Sequence, residues 1–351
     1  IILTQIAGKV RNYEKFTVPE ILGDRFGSGA RIISVIALVI AYMVIVSYQY
    51  NAGGAVLNTI LTDDQGQSLI SVETGTIIAA IFIILYTMLA GLVSVAYTDV
   101  ANGIIILLSF IIAIPIFLYE AGGFSGMATS FASMGKSSHM EFWGVYSTLD
   151  IINFCLPPFL LIMGDANMYQ RFFASKDAKG AKSATKVLII AVAIAELMII
   201  TAAWISSSMI PDAEVGKYVL IYASHKFLPT FIGAIMMTTI VGIIISTADS
   251  FLLVPATTLM RDIYLNYIDP KANEKKIVFL SRVLVLILGI VAYIVSLGFA
   301  RSAGFFERAL YAYTIYGASI TPSLVAALFW KGATKAGAVS SIITGAVTTL
   351  L

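Results

Sequence analysis

The sequence predicts an all-α polytopic membrane protein, and three observations carry that prediction. Hydrophobic residues make up 59% of the 351 and charged residues 12%, about half the charged share of an average soluble domain. Mean hydropathy is +0.91. Eight apolar runs are each long enough to cross a bilayer as a helix, which takes roughly 20 residues. They cover 29–61, 73–93, 98–120, 147–172, 184–209, 229–260, 277–299 and 306–330, and a ninth begins at 335 and runs to Leu351.

Charge placement orients these spans. All but five of the 22 Lys and Arg fall before or at the start of the first run, in or flanking the connections between the fourth and fifth and between the sixth and seventh, or after the eighth. The exceptions are Lys136, Lys217, Lys226, Arg301 and Arg308. The alternation is unbroken, and by the positive-inside rule the basic side is cytoplasmic. Segment 8–28, polar and interrupted by Pro19, is then a cytoplasmic connector carrying a short amphipathic helix. The basic stretch Arg171–Lys186 is read as a solvated cytoplasmic loop rather than a site for nucleic acid or lipid phosphate, and the net charge of +2 says nothing about partners. A single cysteine, Cys155, rules out an internal disulfide. His139 and His225 are separated and placed in loops, so they offer no metal cluster. With neither a nucleophile elbow nor a zinc-helix motif, the chain is expected to be neither an enzyme nor the holder of a cofactor. It opens on apolar Ile1 and ends inside the ninth run, and so reads as an internal piece of a longer transporter-sized protein.

Within the first span, Gln49 and Asn51 sit beside Gly53 and Gly54. Amides and small residues there serve close helix packing or contact with a solute. The third span begins on Thr98 and Asp99, where Asp99 is either the helix N-cap or an acid at the mouth of an ion path. The fourth carries Pro157 and Pro158, which remove two backbone donors, followed by Gly164-Asp165-Ala166-Asn167. A break at that depth needs protein or a water-filled cavity to satisfy the freed backbone, and transporters bind solutes at such breaks. A plain kink is the alternative. Glu196 in the fifth span has no assigned role. Tyr311, Tyr313, Thr314 and Tyr316 of the eighth either pack or line an outer gate.

The sixth span is the most informative. Ser246, Thr247, Asp249 and Ser250 put four oxygen-bearing side chains into five residues of an apolar run. A carboxylate at bilayer depth costs roughly 2.5–3.5 kcal/mol on insertion scales, so such residues face a cavity or an ion. Ser246, Asp249 and Ser250 share one helix face, and an all-oxygen set suits a hard cation. Back-bonding of the hydroxyls to the i−4 carbonyls, with Asp249 reaching toward the cytoplasmic end, is the alternative.

Several motifs in order resemble one family. Phe16-Thr-Val-Pro19-Glu20 with Asp24-Arg25-Phe26 precedes the first span, and Gly91 through Thr98-Asp99 precedes the third. Gln170-Arg171-Phe-Phe-Ala174-Ser-Lys176 follows the break, and Ser246-Thr247-Ala-Asp-Ser250 with Arg261-Asp262-Ile-Tyr264 closes the sixth. Across the whole chain the sequence resembles the sodium:solute symporter family, which includes sodium/proline, sodium/glucose, sodium/pantothenate and sodium/sialic acid symporters.

That resemblance implies a leucine-transporter-type fold of two inverted five-helix repeats. The eight spans become core helices three to ten, with 29–120 the rest of the first repeat and 147–330 the second. Residues 1–8 end core helix two, core helix one is absent, and 335–351 starts a further helix. The family's sodium site between core helices one and eight maps onto the Ile243 carbonyl and the hydroxyls of Ser246 and Thr247. A second sodium, bound lower down in some members, maps onto Asp99, Ser246, Asp249 and Ser250. Asp249 stands where those members carry Ser, so it either strengthens that site or adds a protonatable group, and stoichiometry stays open. Solute-facing positions fall at Asn153, Pro158, Leu161 and Ile162, with Gln49, Asn51 and Tyr316 as further solute or gate candidates. Sugar-transporting relatives carry Asn, Tyr or Trp at some of these positions, which disfavours a sugar here. The implied function is sodium-coupled symport of a small organic solute by alternating access in a bacterial or archaeal cell membrane. A transporter-like sensory input domain of a membrane histidine kinase is the alternative. A channel and a membrane-embedded enzyme are weaker rivals.

Overall fold

Long apolar runs become long helices because in lipid only intrahelical bonding satisfies every backbone group. The computed structural model describes residues 2–13, 15–63, 67–211, 218–299 and 305–350. Lys217 and Arg301 lie outside the described residues. The helices are α1 (Ile2–Arg11), α2 (Val18–Phe26), α3 (Ser28–Ile60), α4 (Val72–Leu89), α5 (Leu92–Glu120), α6 (Gly123–Ser133) and α7 (Thr148–Gly164). There follow α8 (Ala166–Ala174), α9 (Ala178–Met209), α10 (Val219–Phe227), α11 (Thr230–Thr258), α12 (Glu274–Phe299), α13 (Phe305–Ser319), α14 (Thr321–Phe329) and α15 (Lys335–Leu350). Eight helical stretches are long and apolar enough to span a bilayer, and they coincide with the eight predicted runs. The short helices α6 and α10 were not predicted, and His225, expected in a loop, lies in α10.

The central pillar is α3, which packs on α2, α4, α11, α12 and α13. In its most apolar window 61% of the residues are buried inside the protein, against 11% for α9. The α3–α4 contact shows why small residues are needed. A Cβ on Gly75 would stand 2.6 Å from the carbonyl oxygen of Gly54, and one on Gly54 would stand 2.3 Å from Thr76 Oγ1. The glycine pair of the first span therefore serves close helix packing.

The basic segments meet at one end of the molecule. Arg11 donates to the Ser175 carbonyl (2.5 Å) and Arg25 to that of Lys331 (2.9 Å). Arg261 stacks 3.5 Å over the Phe16 ring. Thr17 caps α2 by accepting from the Glu20 N–H (3.1 Å), and its hydroxyl donates to Asp262 Oδ2 (2.6 Å). Asp262 is 2% exposed in a π-type continuation of α11 over Leu259–Ile268, with Arg31 Nε 3.7 Å from its other oxygen. Lys15 pairs with Asp24 at 2.5 Å, and that hydrogen bond holds its ammonium above the usual lysine value.

The helix break lies at Asp165, not at the prolines. Pro157 and Pro158 sit inside a continuous α7, and the chain turns only at Asp165, with φ −57° and ψ 112°. The turn holds because its freed groups are met by side chains, as a helix end requires. Thr321 donates to the Leu160 carbonyl (2.8 Å), Tyr169 to that of Met163 (3.1 Å) and Tyr316 to that of Gly164 (2.8 Å). Tyr316 also accepts from the Ala166 N–H at 3.2 Å. The Asp165 carboxylate caps α8 through the Asn167 N–H (3.2 Å) and accepts from the Tyr42 hydroxyl (2.5 Å). Gly164 is required here, since a Cβ would fall 2.3 Å from Thr321 Oγ1.

Two substitutions test this packing by thermal unfolding of the purified protein. Gly75→Ala overpacks the α3–α4 contact and is expected to cost about 1–3 kcal/mol; an unchanged melting temperature would show the contact to be loose. Tyr316→Phe strips a partner from two buried backbone groups and is expected to cost roughly 1–3 kcal/mol for each. Tyr119→Phe, at a side chain 83% exposed, should melt like the parent.

Candidate functional site

The polar residues of α11 face α5 in a ladder. Ser109 and Thr239 share a hydrogen bond of 2.7 Å, Asn102 donates to the Gly242 carbonyl at 3.4 Å, and Ser246 donates to Asp99 Oδ1. On α5 these partners sit at i, i+3 and i+10, close to one line along a helix face. Asp99 is not an N-cap. The third span starts at Leu92, seven residues before the carboxylate, which lies within the helix and points at α11.

Asp99 has a second partner that corrects the reading of Arg171 as part of a solvated loop. Arg171 belongs to α8, and its Nη2 lies 2.5 Å from Asp99 Oδ2 and 3.4 Å from Ser250 Oγ. Its Nη1 donates to the carbonyl (3.3 Å) and the side-chain oxygen of Asn167, one turn earlier on the same helix. The break at Asp165 is what aims α8, and hence Arg171, at the α5–α11 face. Two acids in apolar spans, Asp99 and Asp249, were the available signal, because such groups need a cationic partner.

Of the proposed sodium ligands, Thr247 donates to the Ile243 carbonyl at 2.9 Å, so the two oxygens adjoin one turn apart. Back-bonding and ligation do not exclude one another, since a hydroxyl that donates keeps its lone pairs. Asp249 is 0% exposed and Ser250 4%. Neither Asp249 oxygen makes a well-formed hydrogen bond; Ser250 turns its N–H and hydroxyl toward them, and Asp99 and Arg171 act on them through space. Ser246, Asp249, Ser250 and Asp99 thus gather around the Arg171 guanidinium, and Thr247 lies next to Ser246 along α11.

The solute candidates are scattered. Asn153 and Ile162 are on the outer surface of α7, Pro158 is half-buried and Leu161 buried. Tyr316 is 0% exposed and holds the helix break. Asn51, 9% exposed, accepts from Thr76 at 3.5 Å and lines a 130 Å³ cavity with Tyr218, Ser296 and Arg308. Gln49, beside it, is half-buried, and its neighbour Tyr48 reaches the Tyr313 hydroxyl at 3.2 Å. At the basic end a cavity of 540 Å³ opens beside the cluster, lined by Gln170, Phe173, Leu253, Thr257, Arg261 and Arg282 among others.

Comparison with known proteins bears on all of this. A model of the sodium:solute symporter family matches residues 1–345. The chain is 28% identical to the high-affinity proline transporter of Bacillus subtilis, over 99% of this chain and 73% of that protein. It is 25% identical to the osmoregulated proline transporter of the same organism, over 99% and 70%, and 24% identical to the sodium/proline symporter of Haemophilus influenzae, over 98% and 70%. Its fold matches the substrate-bound outward-open state of a Na+-coupled sialic acid symporter with a TM-score of 0.65 at 16% identity, over 99% of this chain and 83% of that one. The architecture is accordingly the leucine-transporter type. The sensory alternative draws no support from these relatives. The chain belongs to the sodium:solute symporter family, a sodium-coupled solute transporter that crosses the plasma membrane many times and is not an enzyme.

Proposed function

We propose that the chain moves a small organic solute, of the amino-acid size that its proline-transporting relatives handle, by alternating access driven by sodium. One observation supports this above all. Ser246 of one spanning helix donates to Asp99 of another, with buried Asp249 and Ser250 on the same helix face and Thr247 next in the chain. Sodium is read onto the Ile243 carbonyl with Ser246 and Thr247, and Asp99, Asp249 and Ser250 offer a second position or the route inward. The 540 Å³ cavity at the basic, cytoplasmic end suits release there. The repeats are taken as 29–120 and 147–330, with 8–28 as a cytoplasmic connector. Pro158 and Leu161, apolar where a sugar needs polar partners, favour a solute with few hydroxyls. Each sodium contributes its concentration gradient plus about 2.3 kcal/mol per 100 mV of membrane potential. A bound ion shifts the transporter only by its differential affinity for the two states.

Ser246→Ala combined with Thr247→Ala is expected to abolish sodium-stimulated proline uptake while leaving membrane insertion intact. Undiminished sodium-dependent uptake would remove both residues from the ion site. Thermal stability needs no assumption about the solute. At 100 times its Kd, sodium should stabilise the parent protein by roughly 2.7 kcal/mol over potassium at equal ionic strength, and that gain should vanish in the double variant.

A further inference from the structure

Both oxygens of Asp99 are engaged, one by the Ser246 hydroxyl and the other by Arg171 Nη2 at 2.5 Å. The same Nη2 reaches Ser250 Oγ at 3.4 Å. A metal cation that takes Asp99 Oδ2 and Ser250 must therefore contend with a guanidinium on the same atoms. We propose that Arg171 is a built-in competitor of the coupling cation. The guanidinium and the metal ion alternate on Asp99 and Ser250, so cation entry frees α8 from α5 and α11, and cation release latches it again. This rests on the reading that sodium binds on α11 and adds to it the element that responds.

Three features distinguish an exchanging cation from a fixed strut. The first is charge balance. Asp99 and Asp249 present two carboxylates to one guanidinium, and Asp249 is 0% exposed without a well-formed hydrogen bond. The charged groups acting on Asp249 are Asp99 from α5 and Arg171 from α8, so the cluster carries one more acid than base and can accept further positive charge. The second is a place for the displaced side chain. Arg171 already donates to the carbonyl and side-chain oxygen of Asn167 on its own helix, and its side chain keeps 35% exposure. Its chain neighbour Gln170 lines the 540 Å³ cavity at the basic end. The third is leverage. Tyr42 and Tyr316 fix the start of α8 at the break, whereas Arg171 ties its other end to the ion cluster. Arg11 holds the Ser175 carbonyl just beyond that end, so losing the Arg171 tie detaches α8 from Asp99 and Ser250 while α1 still carries it.

The full-length protein tests this through the sodium concentration that half-saturates thermal stabilisation, measured at constant ionic strength against potassium. In Arg171→Gln that concentration is expected to fall by roughly 5–150-fold, the usual span of coupling between two sites. Arg171→Lys keeps the charge and should stay much closer to the parent. An unchanged or higher sodium requirement in Arg171→Gln overturns the proposal, as does an equal loss of stability in sodium and potassium without a shift in sodium affinity. Should Arg171→Gln fail to fold, amide exchange of 166–174 in the unsubstituted protein decides. Faster exchange in sodium than in potassium supports release of α8, and equal or slower exchange overturns it. Absence of any sodium-specific stabilisation in the unsubstituted protein would sink the ion-site reading and the latch together. Sodium-specific stabilisation with an unshifted Arg171→Gln variant would sink the latch alone.

Discussion

The constraint on which this structure depends is that a carboxylate or a freed backbone group has no water to turn to in the bilayer core. Three acids answer it in different ways, Asp165 and Asp262 buried and Asp99 half-buried. Asp165 is closed by the Tyr42 hydroxyl and by the helix that it caps. Asp262 is closed by Thr17, with the Arg31 guanidinium nearby. Asp99 is closed by Ser246 and Arg171. Asp249 departs from this pattern, because it is sealed from solvent without a well-formed hydrogen bond. A protein that satisfies buried acids so completely elsewhere leaves its unmet electrostatic demand on the helix read as the sodium site.

These solutions are linked through α3. The same helix supplies Tyr42 to the break, Gly54 to the contact with α4, Arg31 to the Asp262 cluster and Tyr48 to the Tyr313 hydroxyl. Its deep burial follows from that number of obligations. By contrast α9 carries an exposed apolar surface suited to lipid. A rigid pillar beside a discontinuous helix is a sound arrangement for relative motion, since the fixed part holds the reference points and the broken part needs few ties to change.

What could be read from the sequence follows from which rules are local. Bilayer thickness sets span length and translocation sets the charge bias, so the eight spans emerged from the chain alone. The Gly53–Gly54 packing and the Ser246–Ser250 cluster were legible for the same reason, because they rest on spacing within one helix. The prolines misled because a lost donor marks where a helix is weakened, not where it turns. The turn is set by Tyr42 and Tyr316, 123 and 150 residues from their partners. Asp99 was ambiguous because Thr98-Asp99 has the chemistry of a cap, and only the start of α5 at Leu92 removes that option. Arg171 was assigned to a loop because positive-inside counting treats every arginine near a membrane end alike. Asn102 and Ser109, in line with Asp99 on α5, could have been found from their spacing.

Ser246 is where the two parts of the proposed ion region become one. Its hydroxyl hydrogen is committed to Asp99, while its oxygen keeps lone pairs for an ion. An ion drawing on that oxygen polarises the hydroxyl and strengthens its donation to Asp99. The carboxylate then has less negative charge to offer the Arg171 guanidinium. Occupancy beside Thr247 would, on the proposed reading, be felt at α8 through one hydroxyl and one carboxylate. On the proposed reading, two sodium positions sharing Ser246 could not fill independently, and the guanidinium that senses the first governs access to the second.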